Sequence, residues 1–275
     1  MAICGEPRPW GRFVALGDSF TEGLMDDLDS TGRHRGWADD VAEALAERAH
    51  DRGEPGIGYA NLAVRGRLVR HVIEDQVPAA VRLGPDLASL AVGVNDSLRP
   101  RFDVDRLATF IERGVRALRA ADADVLLFAF GDPSRRSPVL APVRERIRRY
   151  DSAVAAIADR YDCYLVSFWQ CAVFDDDALW DEDRLHLTPA GHRLVARAVL
   201  DGLGLGDATW RTPAVPGPSP SFVARARANA HWTRAHLAPW VARHARGRSS
   251  GEGVEPKHPS WVEVGRRTGE DTDPG

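Results

Sequence analysis

Residues 13–23 read Phe13-Val14-Ala15-Leu16-Gly17-Asp18-Ser19-Phe20-Thr21-Glu22-Gly23, and this stretch decides the fold. A short apolar run stops abruptly at Gly-Asp-Ser, and a second glycine follows four residues after the serine. The pattern predicts a buried strand, then a tight turn that exposes one hydroxyl at the strand's carboxyl end. A serine placed there is a candidate nucleophile, but a hydroxyl alone is inert near neutral pH and needs a base. The rest of the chain must supply an imidazole, a carboxylate to orient it and donors for an oxyanion.

Outward from this stretch the pattern alternates. Residues 24–36 read as a polar loop. Trp37 to His50 places Trp37, Val41, Ala44, Leu45 and Ala49 at helical spacing, and Gly53 and Pro55 stop it. Gly58 to Val64 reads as a second strand, and Leu68 to Leu83 as a helix that Pro78 kinks or splits. Asp86 to Val94 is a continuous apolar strand of the kind buried on both faces, ending in Gly93-Val94-Asn95-Asp96. A helix over Val104 to Ala120, a strand over Asp124 to Phe130, a helix over Val139 to Tyr161 and a strand over Cys163 to Trp169 follow. The polar stretch 175–187 leads to a last helix, with Thr188 as cap and Pro189 at its first position. Strands alternating with helices of this length imply an α/β fold, a parallel sheet with helices on both faces. Ligands of such sheets sit outside the strands' carboxyl ends. Ser19, Gly66, Asn95 and Gly131-Asp132 all fall at that rim.

The repeat region spans residues 1–208. Residues 209–221 form a Pro-rich linker, and 222–275 a basic helical segment followed by a flexible acidic tail. The helical part carries six arginines and no acid between Phe222 and Arg248. A basic amphipathic helix can lie on an anionic membrane. A helix packed on the main domain is the favoured reading.

Composition narrows the classes. The chain has 275 residues, 44% hydrophobic and 28% charged, with a net charge of −4. That is the make-up of a soluble globular protein and not of a nucleic-acid binder. Three cysteines lack metal-ligand spacing and read as reduced thiols of a cytoplasmic protein. The segment Met1 to Arg12 has no apolar core and does not read as a secretory signal. No apolar run approaches bilayer-spanning length.

Asp183-Arg184-Leu185-His186 lies just before the last helix. Three residues apart in such a turn, a carboxylate can reach the imidazole Nδ1, which leaves Nε2 free to take a proton from a serine. Alone, D-x-x-H is a common surface turn, and Gly-Asp-Ser and Gly-x-Asn-Asp are common too. Together, in order and at one rim, they make a poor coincidence. His34, His50 and His71 have no matching partners and read as surface residues, and His192 as a structural residue of the last helix.

These blocks resemble those of the SGNH hydrolase family, the GDSL esterases and lipases. Gly17 to Gly23 matches the first block, with Phe20 where Leu is common. Asn61 to Gly66 matches the second, Gly93 to Asp96 the third and Asp183 to His186 the last. The resemblance covers roughly residues 11–205. It implies a three-layer α/β/α sandwich with a five-stranded parallel, flavodoxin-like sheet, and the C-terminal segment as an addition. It also implies Ser19 as nucleophile, His186 as base and Asp183 as its orienter. The oxyanion hole would comprise the backbone N–H groups of Ser19 and Gly66 and the side-chain amide of Asn95. Asp18 and Asp96 read as braces of their turns.

The expected activity is hydrolysis of a carboxylic ester, with no metal or organic cofactor and a small-molecule ester as substrate. A short-acyl or acetylated-carbohydrate ester, a lysophospholipid and a thioester all fit, as does a catalytically silent binding module. Arg99, Arg101, Arg135 and Arg136, with Phe102, Phe174 and Trp180, are the candidates for substrate choice. Ordinary solvated arginines and core aromatics are the competing reading.

Overall fold

A computed structural model describes residues 8–135, 138–213, 234 and 250–265. At its centre lies β1 (Arg12–Gly17), buried beyond its first residue. Alternate side chains of β1 serve two separate cores. Phe13 and Ala15 join one, with Val41 and Leu45 and with Val195 and Val199. Val14 and Leu16 join the other, with Val72, Ile111, Val115 and Val154. A strand with both faces buried needs an unbroken apolar run, and that is what residues 13–16 provide.

Around β1 the sheet takes the order β5-β4-β3-β1-β2-β6, with β2 (Ile57–Asn61), β3 (Leu87–Ala91), β4 (Asp124–Ala129), β5 (Tyr164–Ser167) and β6 (His258–Val264). The first five strands are parallel. Helices α1 (Ser19–Glu22), α2 (Trp37–Asp51), α3 (Val69–His71), α4 (Val77–Leu83), α5 (Val94–Ser97), α6 (Val104–Ala120), α7 (Arg144–Tyr161) and α8 (Pro189–Gly202) follow in chain order. The buried sides of α2 and α8 cover one face of the sheet; α4, α6 and α7 cover the other. After β1 the chain turns first to β2 on one side and then to β3 on the other. The strand order therefore reverses at β1 and β3, which opens a crevice at their carboxyl ends.

Four expectations need correction. The sheet has six strands, not five. The sixth, β6, pairs antiparallel with β2 and comes from residues expected to be a flexible acidic tail. Its sequence, His258-Pro259-Ser260-Trp261-Val262-Glu263-Val264, holds β-branched and aromatic residues, and Pro259 fits an edge strand. The linker does not begin at 209: Ala208–Arg211 form a 3-10 turn with Trp210 buried, its indole N–H donating to Asp201 at 2.8 Å. The helix expected from Val139 opens as a 3-10 stretch, Pro138–Val143, because Pro142 cannot donate within an α-helix. The basic helix expected over 222–248 lies outside the described residues apart from Arg234. Among the described residues no helix is long and apolar enough to cross a membrane.

Pro78 does not split its helix. Val72–Gln76 is a π-helical segment that joins α3 to α4. The wider turn accompanies Gln76, whose buried amide makes two hydrogen bonds to β1. Gly17 N–H donates to Gln76 Oε1 at 2.9 Å, and Gln76 Nε2 donates to the Gly17 carbonyl at 2.9 Å. The last residue of β1 is thus clamped on both sides of its peptide. Gln76→Leu takes the acceptor from the Gly17 N–H and leaves the Gly17 carbonyl with only the Val64 N–H at 3.3 Å, and should cost about 1–2 kcal/mol in urea unfolding. An unchanged unfolding midpoint would show that the clamp carries no weight.

Candidate active site

Strand β1 becomes helix α1 across a single residue, Asp18. Its carboxylate Oδ1 accepts the Phe20 N–H at 3.1 Å and caps the helix, which places Ser19 at the first helical position. The Ser19 N–H is one of the first-turn donors that have no acceptor within their own helix. Burial pushes the Asp18 carboxyl up to about 7, against the Phe20 N–H, the neighbouring His186 ring and the Asn95 amide, which all favour its ionised form.

The imidazole of His186 stands opposite. Asp183 Oδ1 accepts the N–H groups of Leu185 and His186, each at 2.9 Å. Arg184, between Asp183 and Leu185, has φ of 57°, a left-handed conformation uncommon outside glycine. This closed turn aims the other carboxylate oxygen at the ring, with Asp183 Oδ2 2.5 Å from His186 Nδ1. His186 Nε2 lies 3.0 Å from Ser19 Oγ. Burial raises the Asp183 carboxyl, but hydrogen bonds from the His186 ring and from two backbone N–H groups outweigh it and hold it at about 2. An ionised Asp183 keeps the proton on Nδ1 and leaves the Nε2 lone pair facing the serine.

The remaining candidates converge on the same crevice. Gly66, with φ of 73°, and Asn95 line a cavity with Ser19 and His186. That left-handed φ favours glycine at position 66. The Asn95 amide is engaged: Nδ2 donates to Asp18 Oδ2 at 3.0 Å and to the Arg67 carbonyl at 3.1 Å. Asp96 accepts the Val69 N–H at 3.0 Å and ties α5 to the start of α3. Asn61 holds three groups, with Nδ2 donating to the Thr21 carbonyl at 2.9 Å and the Tyr59 hydroxyl at 3.0 Å, and Oδ1 accepting the Ala63 N–H at 3.1 Å. His192 lines the cavity but is spent on backbone. Its Nε2 donates to the Leu24 carbonyl at 3.2 Å, its Nδ1 accepts the Trp37 N–H at 3.4 Å, and burial lowers its pKa to about 4.

Two groups escape sequence reasoning. One is Gln76. The other is the pair Glu22–Arg65: Glu22 Oε2 accepts the Arg65 N–H at 2.6 Å, while Oε1 accepts from Nε at 2.8 Å and also from Nη2. This carboxylate belongs to the quoted opening stretch, and it fixes the loop that carries Gly66. No periodicity signals a partner 43 residues away.

The cavity measures about 560 Å³, and apolar side chains dominate its lining, among them Phe130, Leu140, Phe168, Phe174 and Leu187. Phe174 and Trp180 line it, but Phe102 does not. Of the four arginines expected at the rim, Arg135 lines the cavity and is paired with Asp175 at 2.5 Å. Arg99 and Arg101 do not line it, and Arg136 lies outside the described residues.

The profile of the GDSL-like Lipase/Acylhydrolase family matches residues 15–194. No curated protein matches the sequence. Among solved structures, the chain is similar to LAE5, an alpha/beta hydrolase enzyme from the metagenome of Lake Arreo, Spain (21% identity, TM-score 0.60, covering 72% of this chain and 97% of that one). It is similar to Axe2, an acetylxylan esterase from Geobacillus stearothermophilus (20% identity, TM-score 0.59, 72% and 97% covered). It is also similar to TesA (23% identity, TM-score 0.56, 70% and 97% covered). At these identities the likeness shows a shared fold.

The buried Asp18 carboxyl has a consequence for stability. Its pKa stands above its unfolded value, so folded protein holds the proton more tightly. Stability from this group is complete below the unfolded value of 3.8 and is lost as pH rises through about 7. Asp18→Asn removes the titration. Relative to the parent, the variant should gain stability between pH 4 and pH 8 in urea unfolding, and a pH-independent difference would contradict the burial of this acid.

Proposed function

Because the chain belongs to the GDSL-like lipase/acylhydrolase family and is a carboxylic-ester hydrolase, we propose that Ser19, His186 and Asp183 carry its reaction. The observation that supports this most is the unbroken line Ser19 Oγ–His186 Nε2 at 3.0 Å and His186 Nδ1–Asp183 Oδ2 at 2.5 Å.

In this reading Ser19 Oγ attacks the ester carbonyl carbon while His186 Nε2 takes the hydroxyl proton. Asp183 stays ionised and offsets the imidazolium charge. The carbonyl oxygen, now an oxyanion, is met by the N–H groups of Ser19 and Gly66 and by the Asn95 amide. Asn95 joins by sharing with the oxyanion the hydrogen it gives to the Arg67 carbonyl, while its bond to Asp18 keeps the amide in place. His186 then protonates the departing alkoxide, which breaks the ester C–O bond and leaves an acyl-serine. Water, deprotonated by the same Nε2, attacks the acyl carbon; the C–Oγ bond then breaks as Nε2 returns its proton to Ser19 Oγ, which releases the acid and the free serine.

The substrate we favour carries an apolar acyl group, as an ester or thioester, because the cavity beside Ser19 is lined by aromatic and aliphatic side chains. An acetylated carbohydrate is the second reading, supported by the polar residues Asp132, Arg135, Asp175 and Asp181 that share the lining.

Steady-state hydrolysis of p-nitrophenyl esters tests the assignment. Ser19→Ala and His186→Ala should each abolish turnover with circular dichroism unchanged. Asn95→Ala should lower kcat by about 10²-fold. A Ser19→Ala protein as fast as the parent would remove the whole mechanism. A panel of acyl lengths, with acetylated xylose beside it, separates the substrate readings: kcat/KM should rise from acetate to medium-length chains. Preference for the acetylated sugar would reverse the choice.

A further inference from the structure

The sequence contains a single lysine, Lys257, against 35 arginines. It lies beyond the residues that match the family, just before β6, and is only 5% exposed. Its Nζ donates to three backbone carbonyls, Glu22 at 3.2 Å, His34 at 2.9 Å and Arg35 at 3.2 Å, and to Asp39 Oδ2 at 2.6 Å. Four acceptors gathered around one point suit a compact ammonium and not a planar guanidinium. In a chain that otherwise uses arginine, the exception sits where arginine's shape does not fit.

What Lys257 holds matters more than how it is held. Glu22 ends helix α1, three residues after Ser19, and its side chain grips Arg65, the neighbour of Gly66. Direct bonds therefore run from Lys257 to Glu22 and on to Arg65. A second contact reaches the same loop independently: Gly251 packs so closely on Arg65 that an added Cβ would lie 2.1 Å from its carbonyl oxygen. Ser250, one residue earlier, lines the cavity itself. The pairing of β6 with β2 fixes the segment to the sheet.

We propose that residues 250–264 are part of the catalytic unit, with Lys257 as a positioning residue that holds the Ser19 helix and the Gly66 loop in register. This rests on the roles given above to Ser19 and Gly66. Displacement of a catalytic donor by about 1 Å can cost about 10²-fold in rate. Groups at such sites need a supporting shell to keep their geometry.

The full-length protein is compared with Lys257→Met, Lys257→Arg and Gly251→Ala in p-nitrophenyl butyrate hydrolysis, each also melted by circular dichroism. Both Lys257 variants should lose about 10- to 100-fold in kcat well below their melting temperatures, with KM little changed, because loss confined to kcat marks transition-state geometry. Arginine should not rescue. Gly251→Ala, which leaves the ammonium in place, should lower kcat in the same way. If Lys257→Met does not fold, Gly251→Ala decides. A parent-like kcat in Lys257→Met and Gly251→Ala, with only the melting temperature lowered, would reduce the segment to an edge strand and overturn the proposal. The underlying reading fails separately, by a Ser19→Ala protein that still turns over.

Discussion

Strand β1 must pass into helix α1 across one residue, and most of the molecule serves that junction. The peptide of Gly17 is clamped by Gln76, and the Asp18 carboxylate both caps the helix and receives the Asn95 amide. Such a turn puts a serine at a helix start, at the point where strand order reverses and a crevice must open. The cost is a buried acid. Desolvation raises Asp18 to about 7, a level tolerated because its bonds fix the serine's backbone.

The histidine side of the site meets the same constraint with different chemistry. A turn of four residues, Asp183 to His186, carries carboxylate and imidazole on one short piece of chain, so their mutual geometry does not depend on distant packing. Only the relation of this turn to β1 is long-range. The helix that follows it, α8, secures that relation: His192 bonds to the backbone of Leu24 and Trp37, on the segment just after Ser19.

Local determinants explain what could be read from the sequence. Apolar runs identified the five parallel strands, and short motifs located Ser19, Gly66, Asn95, Asp183 and His186, which the structure gathers into one crevice. Each of these signals lies within a few residues. The parts that stayed hidden are pairings between distant segments. Glu22 with Arg65, Gln76 with Gly17 and Lys257 with Glu22 span 43, 59 and 235 residues. Strand β6 escaped notice because a Gly- and Pro-rich neighbourhood masks a short β-prone run that becomes a strand only once β2 offers an edge. The Asn95 amide shows the same limit: its residue type suited an oxyanion donor, but its existing bonds to Asp18 and Arg67 were invisible.

A buried strand, a one-residue turn and an imidazole delivered by a separate turn together support the proposed role of Ser19 as an activated hydroxyl. The most direct measurement is covalent capture. The protein is treated with an alkyl p-nitrophenyl phosphonate, whose phosphorus is attacked as an ester carbonyl would be, and the product is mapped by peptide mass spectrometry. One adduct per chain is expected, on Ser19, formed with release of one equivalent of p-nitrophenol and absent in His186→Ala. An adduct on another residue, or none under conditions where the ester is hydrolysed, would contradict that role.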